Sequence, residues 1–302
     1  MNFVSPRTDL ALEARTLRAT ELSDSEELPG VSVCESDISG FKVTTVSVLD
    51  DVGANSLCKP IGKYITIETD RLISREENAF AQCAELLAGQ LKTLLGRALG
   101  PDARILVIGL GNEAITPDAI GPWTLEHLLV TRHLKERQLP DFAHFSAVSA
   151  LRAGVLGTTG IESALLVQIV SAAVKPDVVI AVDALASCQL SRLCRTVQLT
   201  DTGITPGSGV GNSRAELSEK TLSVPVIAIG VPTVVDASTL AADLVQNAGI
   251  SITPDKLPAT GMIVTPRDID RSARDAAKLV GYGLNLAFHD GLTLEDIDML
   301  LS

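Results

Sequence analysis

Residues 104–122, RILVIGLGNEAITPDAIGP, decide the reading of the fold. Four consecutive aliphatic residues, Ile105-Leu106-Val107-Ile108, have the length and composition of a strand buried on both faces, as in a parallel sheet covered by helices. The turn Gly109-Leu110-Gly111-Asn112 follows, then Thr116-Pro117-Asp118. Threonine caps helices and proline suits the first helical position, so a helix is predicted from 117 to about 137. Leu125, Leu128, Leu129, Val130 and Leu134 recur along it at helical spacing. Asp118 falls in its first turn, just beyond the strand's carboxyl end, where open α/β sheets build their sites. A carboxylate there serves either the helix dipole or a reaction.

The same layout returns at Val178-Val179-Ile180-Ala181-Val182, a second buried run that ends on Asp183. Each aspartate is followed by alanine and an aliphatic residue. Further strands are predicted at 41–50 and 63–70, pairing across the 53–62 loop, and at 145–148, 195–199 and 224–230. Helices are predicted at 76–99, 161–174, 236–246, 267–289 and 292–300, the last capped by Thr293 with Asp296 three residues on. Strands alternating with helices imply a three-layer α-β-α sandwich with a mostly parallel sheet, plus a small N-terminal β element. Residues 1–30 carry many charges and hydroxyls, with an acidic run at 21–27, and read as a loosely attached arm. Residues 31–302 read as a single α/β domain.

Bulk properties narrow the function. The 302 residues are 46% hydrophobic, enough for a substantial core, and carry a net charge of -12. That charge disfavours direct contact with nucleic acid or an anionic membrane. No apolar run reaches the roughly 18 residues of a membrane span, and the N-terminus lacks a basic-then-apolar signal layout, so an intracellular protein is expected. Five cysteines, an odd count without a CxxC pair, suggest reduced thiols. The four histidines show no metal-ligand spacing.

Four features could carry chemistry. Gly109-Leu-Gly-Asn-Glu-Ala114 fits a loose dinucleotide pattern, but the helix signal comes too late for its amides to face a pyrophosphate. Asp201-Thr202-Gly203 occurs once, in an α/β setting, and is better explained as a turn. The loop containing Gly207, Ser208 and Gly209 is glycine-dense and lies at a predicted sheet edge, where it could line a substrate. Finally, if the strands before Asp118 and Asp183 are neighbours, the two carboxyls share one crevice. Two carboxyls at close range do not both ionise easily, so one pKa rises. One then activates a water while the other donates a proton, which is acid-base amide hydrolysis. The same pair could instead hold a divalent metal.

Taken together, these blocks resemble a known family. The residues are R7-T-D-L-A-L-E13, G109-L-G-N with T116-P-D-A-I-G-P122, L128-L-V-T-R-H133, V179-I-A-V-D-A-L-A-S187, D201-T-G-I-T-P-G-S-G-V-G-N212 and G230-V-P-T-V-V-D236. They are similar to the germination proteases of spore-forming bacteria, over nearly the whole chain. The first central block is also similar to hydrogenase-maturation proteases, which share the fold. The resemblance implies an aspartic-type endopeptidase that degrades small acid-soluble spore proteins in the cytoplasm of the spore core. It implies catalytic residues Asp118 and Asp183, a homotetramer, and neither cofactor nor membrane. The histidine with which the hydrogenase proteases sense metal has no counterpart here, Thr205 standing in the glycine loop, so metal-free catalysis is expected. The alternatives are a metal-dependent peptidase using the same pair, or a non-catalytic binder of the same spore proteins. The resemblance further implies a self-processing zymogen, cut after an acidic P1 residue with an apolar P1′ and alanine at P2′. In the arm this rule selects the bond between Asp9 and Leu10 and makes residues 1–9 the propeptide. Arg152, Arg195, Arg214 and Lys220 are the candidate cations for an acidic P1 side chain.

Overall fold

The computed structural model describes residues 8–21, 28–96, 102–211, 214–247 and 261–302. Most of the acidic run at 21–27, and the end of the helix predicted for 76–99, lie outside these residues. Among the described residues nine strands form one sheet: β1 (Val31–Ile38), β2 (Phe41–Val48), β3 (Gly62–Glu68), β4 (Arg104–Leu110), β5 (Ala147–Gly154), β6 (Val178–Ala186), β7 (Thr196–Thr200), β8 (Val226–Asp236) and β9 (Ile263–Val264). Their order is β1-β2-β3-β7-β8-β6-β4-β5, with β9 on β8. Strands β8, β6, β4 and β5 are mutually parallel. β7, β3, β2 and β1 continue the sheet in antiparallel steps. The N-terminal β element is therefore the antiparallel wing of the main sheet, and β2 pairs β3 as predicted.

The parallel strands β4 and β6 bury both faces because their residues alternate between two cores. Ile105, Val107, Val178, Ile180 and Val182 pack toward the helices Ala79–Leu95 and Ile269–Phe288, against Leu87, Leu91, Val280 and Leu284. Leu106, Ile108, Val179 and Ala181 face the other way, toward Ala164 and Val167 of the helix Ser163–Val174. This period-two division of unbroken apolar runs makes the third layer. No helix among the described residues is long and apolar enough to cross a membrane. The five cysteines are free thiols.

Four expectations need correction. The helix predicted from 117 to 137 is broken into a 3-10 turn Thr116–Asp118, a short helix Ile120–Thr124, a turn Leu125–His127, extended chain, and a helix Arg132–Glu136. Tertiary hydrogen bonds override the helical spacing. Buried Asn285 accepts from Leu129 N (2.9 Å) and donates to His127 O (2.8 Å), and Thr131 bonds Ser146 O and Val148 N. The 53–62 loop contains a helix, Asp51–Leu57, whose N-cap Asp50 accepts from Gly53 N. β6 and β8 run several residues past their predicted ends, so Asp183 lies within a strand rather than at its tip. Lastly, the described part of the arm is not loose. A helix Ala11–Glu21 follows Leu10, and Ala11 and Leu12 pack on Val46, Val48 and Tyr64.

The break after Asp118 is tied to glycine. A Cβ at Gly121 would stand 2.3 Å from Leu110 O and 2.4 Å from Val182 O, so the chain there lies directly against the end of β4 and the middle of β6. Gly121→Ala is expected to destabilise the fold by about 3 kcal/mol or more, the upper range of overpacking costs. Gly89→Ala, in the open interior of a helix with nothing within 4 Å, should instead stabilise by about 0.5–1 kcal/mol. Denaturant unfolding of the two variants checks both signs.

Candidate active site

The site begins with strand order. β4 lies beside β6, with Gly109 opposite Val182, and β6 lies beside β8, with Asp183 opposite Gly230. The carboxyl ends of these strands therefore open into one crevice, the position that open α/β sheets use for ligands. The turn after β4 folds back sharply at Gly111, where φ is +103° and a Cβ would stand 2.0 Å from Asp118 O, so no side chain fits. That fold-back lets Asn112 N–H donate to Asp118 Oδ2 at 2.7 Å. Thr233 Oγ1 of β8 donates to Pro117 O at 2.6 Å, and Thr116 Oγ1 to Asp270 Oδ1 at 2.8 Å, so the turn is clamped from two sides.

Asp183 is 5% exposed and accepts from Ala184 N at 2.9 Å. Burial raises its pKa well above the usual carboxylate range; the nearby Asp118 raises it further and Asp9 adds to this, against the pull of the Ala184 amide. Burial also raises Asp118, opposed by the Asn112 amide, which favours its ionised form. The two aspartates line one cavity of about 1240 Å³, together with Gly207, Ser208 and Gly209. The structure thus brings together the two carboxyls and the glycine loop that the sequence reading singled out. Among the described residues no group of three or more His, Cys, Asp or Glu side chains is arranged to hold a metal ion.

The arm enters the same cavity. Asp9 N donates to Ala186 O at 2.9 Å, and Ala186 N donates to Asp9 Oδ2 at 2.9 Å. Ser208 Oγ donates to Asp9 Oδ1 at 2.7 Å. Gly209 is flush against this carboxylate, since a Cβ there would meet Asp9 Oδ2 at 2.1 Å. The carbonyl of Asp9, which belongs to the Asp9–Leu10 peptide bond, accepts from Lys59 Nζ at 2.9 Å and Gln198 Nε2 at 3.3 Å. Burial lowers the Lys59 pKa, with the Asp9 charge opposing that shift. Beyond the bond, Ala11 N donates to Gln198 Oε1 at 2.8 Å, and Leu10 is fully buried.

The cations expected to meet an acidic side chain do not meet Asp9. Arg152 pairs with Glu113 and Glu126, Arg195 with Asp70, and Arg214, at the cavity wall, with Glu162. Lys220 is exposed on a short surface helix. Neutral donors hold the Asp9 carboxylate instead. Lys59, Gln198 and Glu13 were missed in the sequence. A glutamine inside the apolar strand Thr196–Thr200 was the one visible signal; Lys59 sits in a loop with no motif around it.

Comparison with known proteins gives the chain its family. The family model described as "Germination protease" matches residues 10–248. A germination protease of Caldanaerobacter subterraneus is 42% identical, covering 98% of this chain and 98% of its own length. Those of Clostridium tetani and Bacillus licheniformis are 40% and 36% identical, covering 99% and 97% of this chain and 100% and 96% of their own. Among solved structures, the NiFe hydrogenase maturation protease HycI of Thermococcus kodakarensis aligns over 65% of this chain and 98% of its own, at 21% identity and a TM-score of 0.36. Matched by the family model from residue 10 onward and by these relatives along nearly its whole length, the chain belongs to the germination protease family.

Proposed function

We propose that this protease starts the breakdown of small acid-soluble spore proteins by acid-base catalysis with Asp118 and Asp183, and that it first cuts its own Asp9–Leu10 bond. The observation that carries the reading is the seat of Asp9. An acidic residue of the chain itself occupies the cavity of the two carboxyls, with both of its side-chain oxygens and its carbonyl engaged. A substrate with an acidic residue before the scissile bond presents the same groups.

Asp183, the more deeply buried carboxyl, is the acid and enters protonated. Asp118, whose ionised form the Asn112 amide favours, is the base. Asp118 takes a proton from water as its oxygen bonds to the carbonyl carbon, and Asp183 gives its proton to the carbonyl oxygen. Lys59 and Gln198 assist by polarising that carbonyl. The tetrahedral intermediate then collapses. The C–N bond breaks, the nitrogen takes the proton from Asp118, and a hydroxyl proton returns to Asp183. Because Thr8 and Asp9 occupy the cavity until the bond is cut, the precursor is held inactive toward other chains.

Replacing either carboxyl removes one half of this exchange. Asp118→Asn and Asp183→Asn are each expected to lower self-cleavage and cleavage of purified spore protein by about 10²-fold or more, with folded circular dichroism. Near-normal turnover in either variant would refute the assignment. Asp9→Ala should leave the Asp9–Leu10 bond intact, read as an unchanged mass of the full chain; a Leu10 terminus in that variant counts against the P1 role.

The raised carboxyl also makes a stability signature. A group whose pKa is higher in the folded state binds its proton more tightly there. Its stabilisation is complete below the ordinary aspartate range and is lost as pH rises through the folded value. Asp183→Asn escapes that loss. The variant should melt above the parent at neutral and alkaline pH, with the gap closing toward acid. Thermal unfolding across pH measures the gap, and a variant that melts below the parent at every pH contradicts the burial argument.

A further inference from the structure

Cutting the Asp9–Leu10 bond places a water hydroxyl on the Asp9 carbonyl carbon and leaves a new α-amine on Leu10, which takes up a proton. The surroundings of that nitrogen are already built. In the uncut chain Leu10 N donates to Thr8 Oγ1 at 3.0 Å, and Thr8 Oγ1 donates to Glu13 Oε2 at 2.5 Å. One hydroxyl is all that separates the future terminus from a carboxylate. Leu10 is 0% exposed and Glu13 is 1% exposed.

Glu13 is also fastened to the chain just after the strand of Asp183. It accepts from Ser187 Oγ at 2.6 Å, Cys188 N at 2.8 Å and Gln189 N at 3.2 Å. That segment directly continues Ala186, whose amide holds the acidic side chain of Asp9. Other charges near Glu13 are Lys59, whose pKa it helps to raise, and Arg192, whose Nε lies 3.8 Å from Oε1. The Cys188 thiol is pushed up, by burial first and then by Glu13, and stays neutral.

Departure of residues 1–9 takes Thr8 away. The Glu13 carboxylate then loses a donor, and a buried ammonium is left without a counter-charge unless it reaches Glu13. We propose that the Leu10 α-ammonium closes this gap and pairs with Glu13 in the matured enzyme, holding the segment 187–189 and with it the Ala186 amide in place once the propeptide has gone. Glu13 is thus a positioning residue, and the pair forms only after the cut because an amide carries no charge. The inference rests on self-cleavage between Asp9 and Leu10.

The test begins with the full chain allowed to mature, its new terminus identified by mass spectrometry. The matured protein is treated near neutral pH with an amine-acylating reagent, folded and in urea, and labelling of the Leu10 α-amine is timed. Glu13→Gln is taken through the same steps. The folded parent should label at least about tenfold more slowly than the unfolded chain. Glu13→Gln should recover about tenfold in labelling and lose about tenfold in kcat/KM, the scale of one hydrogen bond to a charged group. Equal labelling of folded and unfolded parent overturns the pair, as does a Glu13→Gln terminus as protected as the parent's, the result expected if burial alone does the work. If Glu13→Gln fails to mature, the pH dependence of labelling in the parent decides: a Leu10 α-amine pKa above that of the unfolded chain supports the pair, and one below it, as burial alone gives, overturns it. A mature terminus other than Leu10 refutes the self-cleavage reading together with this inference; a freely reactive Leu10 amine refutes this inference only.

Discussion

The structure is organised around keeping a carboxyl where water cannot stabilise its charge. Asp183 lies in the middle of a parallel sheet, on a strand flanked by two others, and is almost wholly buried. Among the described residues its one donor is the adjoining amide of Ala184. Burial raises the pKa of a group so placed, and the second carboxyl, Asp118, is close enough to raise it further. Every other part of the cavity has to respect this balance. The turn of Asp118 must approach the strand ends without bringing a cation. Gly111 and Gly121 allow the approach by removing side chains at the two tightest points, and Thr233 and Thr116 fix it through neutral hydroxyls.

How much of this the sequence discloses depends on where the deciding contacts come from. The runs Ile105–Ile108 and Val178–Val182 are apolar at every position, and only a strand covered on both faces accepts that, so the central sheet was legible. The meeting of Asp118 and Asp183 was legible only as a condition, that their two strands be neighbours, and the pairing of β4 with β6 meets it. The long helix after Pro117 was misread because its leucines do repeat at helical spacing. What breaks it is Asn285, more than 150 residues away and silent in any local window. The arm was misread for a similar reason. Its hydroxyls and charges look like solvated chain, yet Thr8 bonds Glu13, and Asp9 and Glu13 accept from Ser187, Ser208 and the amides of Ala186, Cys188 and Gln189.

The same distinction explains Lys59. A lone lysine in a loop reads as surface charge, the commonest role for the residue. Here its ammonium is turned inward onto two backbone carbonyls, Thr8 O and Asp9 O. It therefore sits on the main chain of the arm rather than on the acidic side chain, a division of labour that charge complementarity alone would have reversed.

That reversal has a physical rationale in the proposed mechanism. An arginine fork on the acidic side chain would bind it strongly. It would also place a fixed positive charge near Asp183, favouring the ionised form and lowering the pKa that the acid role requires. The Ala186 amide and the Ser208 hydroxyl bind a carboxylate with no net charge of their own. The Asp9 carboxylate then acts in the useful direction, because its negative charge raises the Asp183 pKa further. An acidic residue before the scissile bond thus does more than fit the pocket: on binding it helps hold the proton on the group that must donate it. In the proposed mechanism a neutral amide or an alanine at that position fills the space without supplying the charge, so a preference for an acid would follow from the electrostatics of the two carboxyls as well as from the two donors.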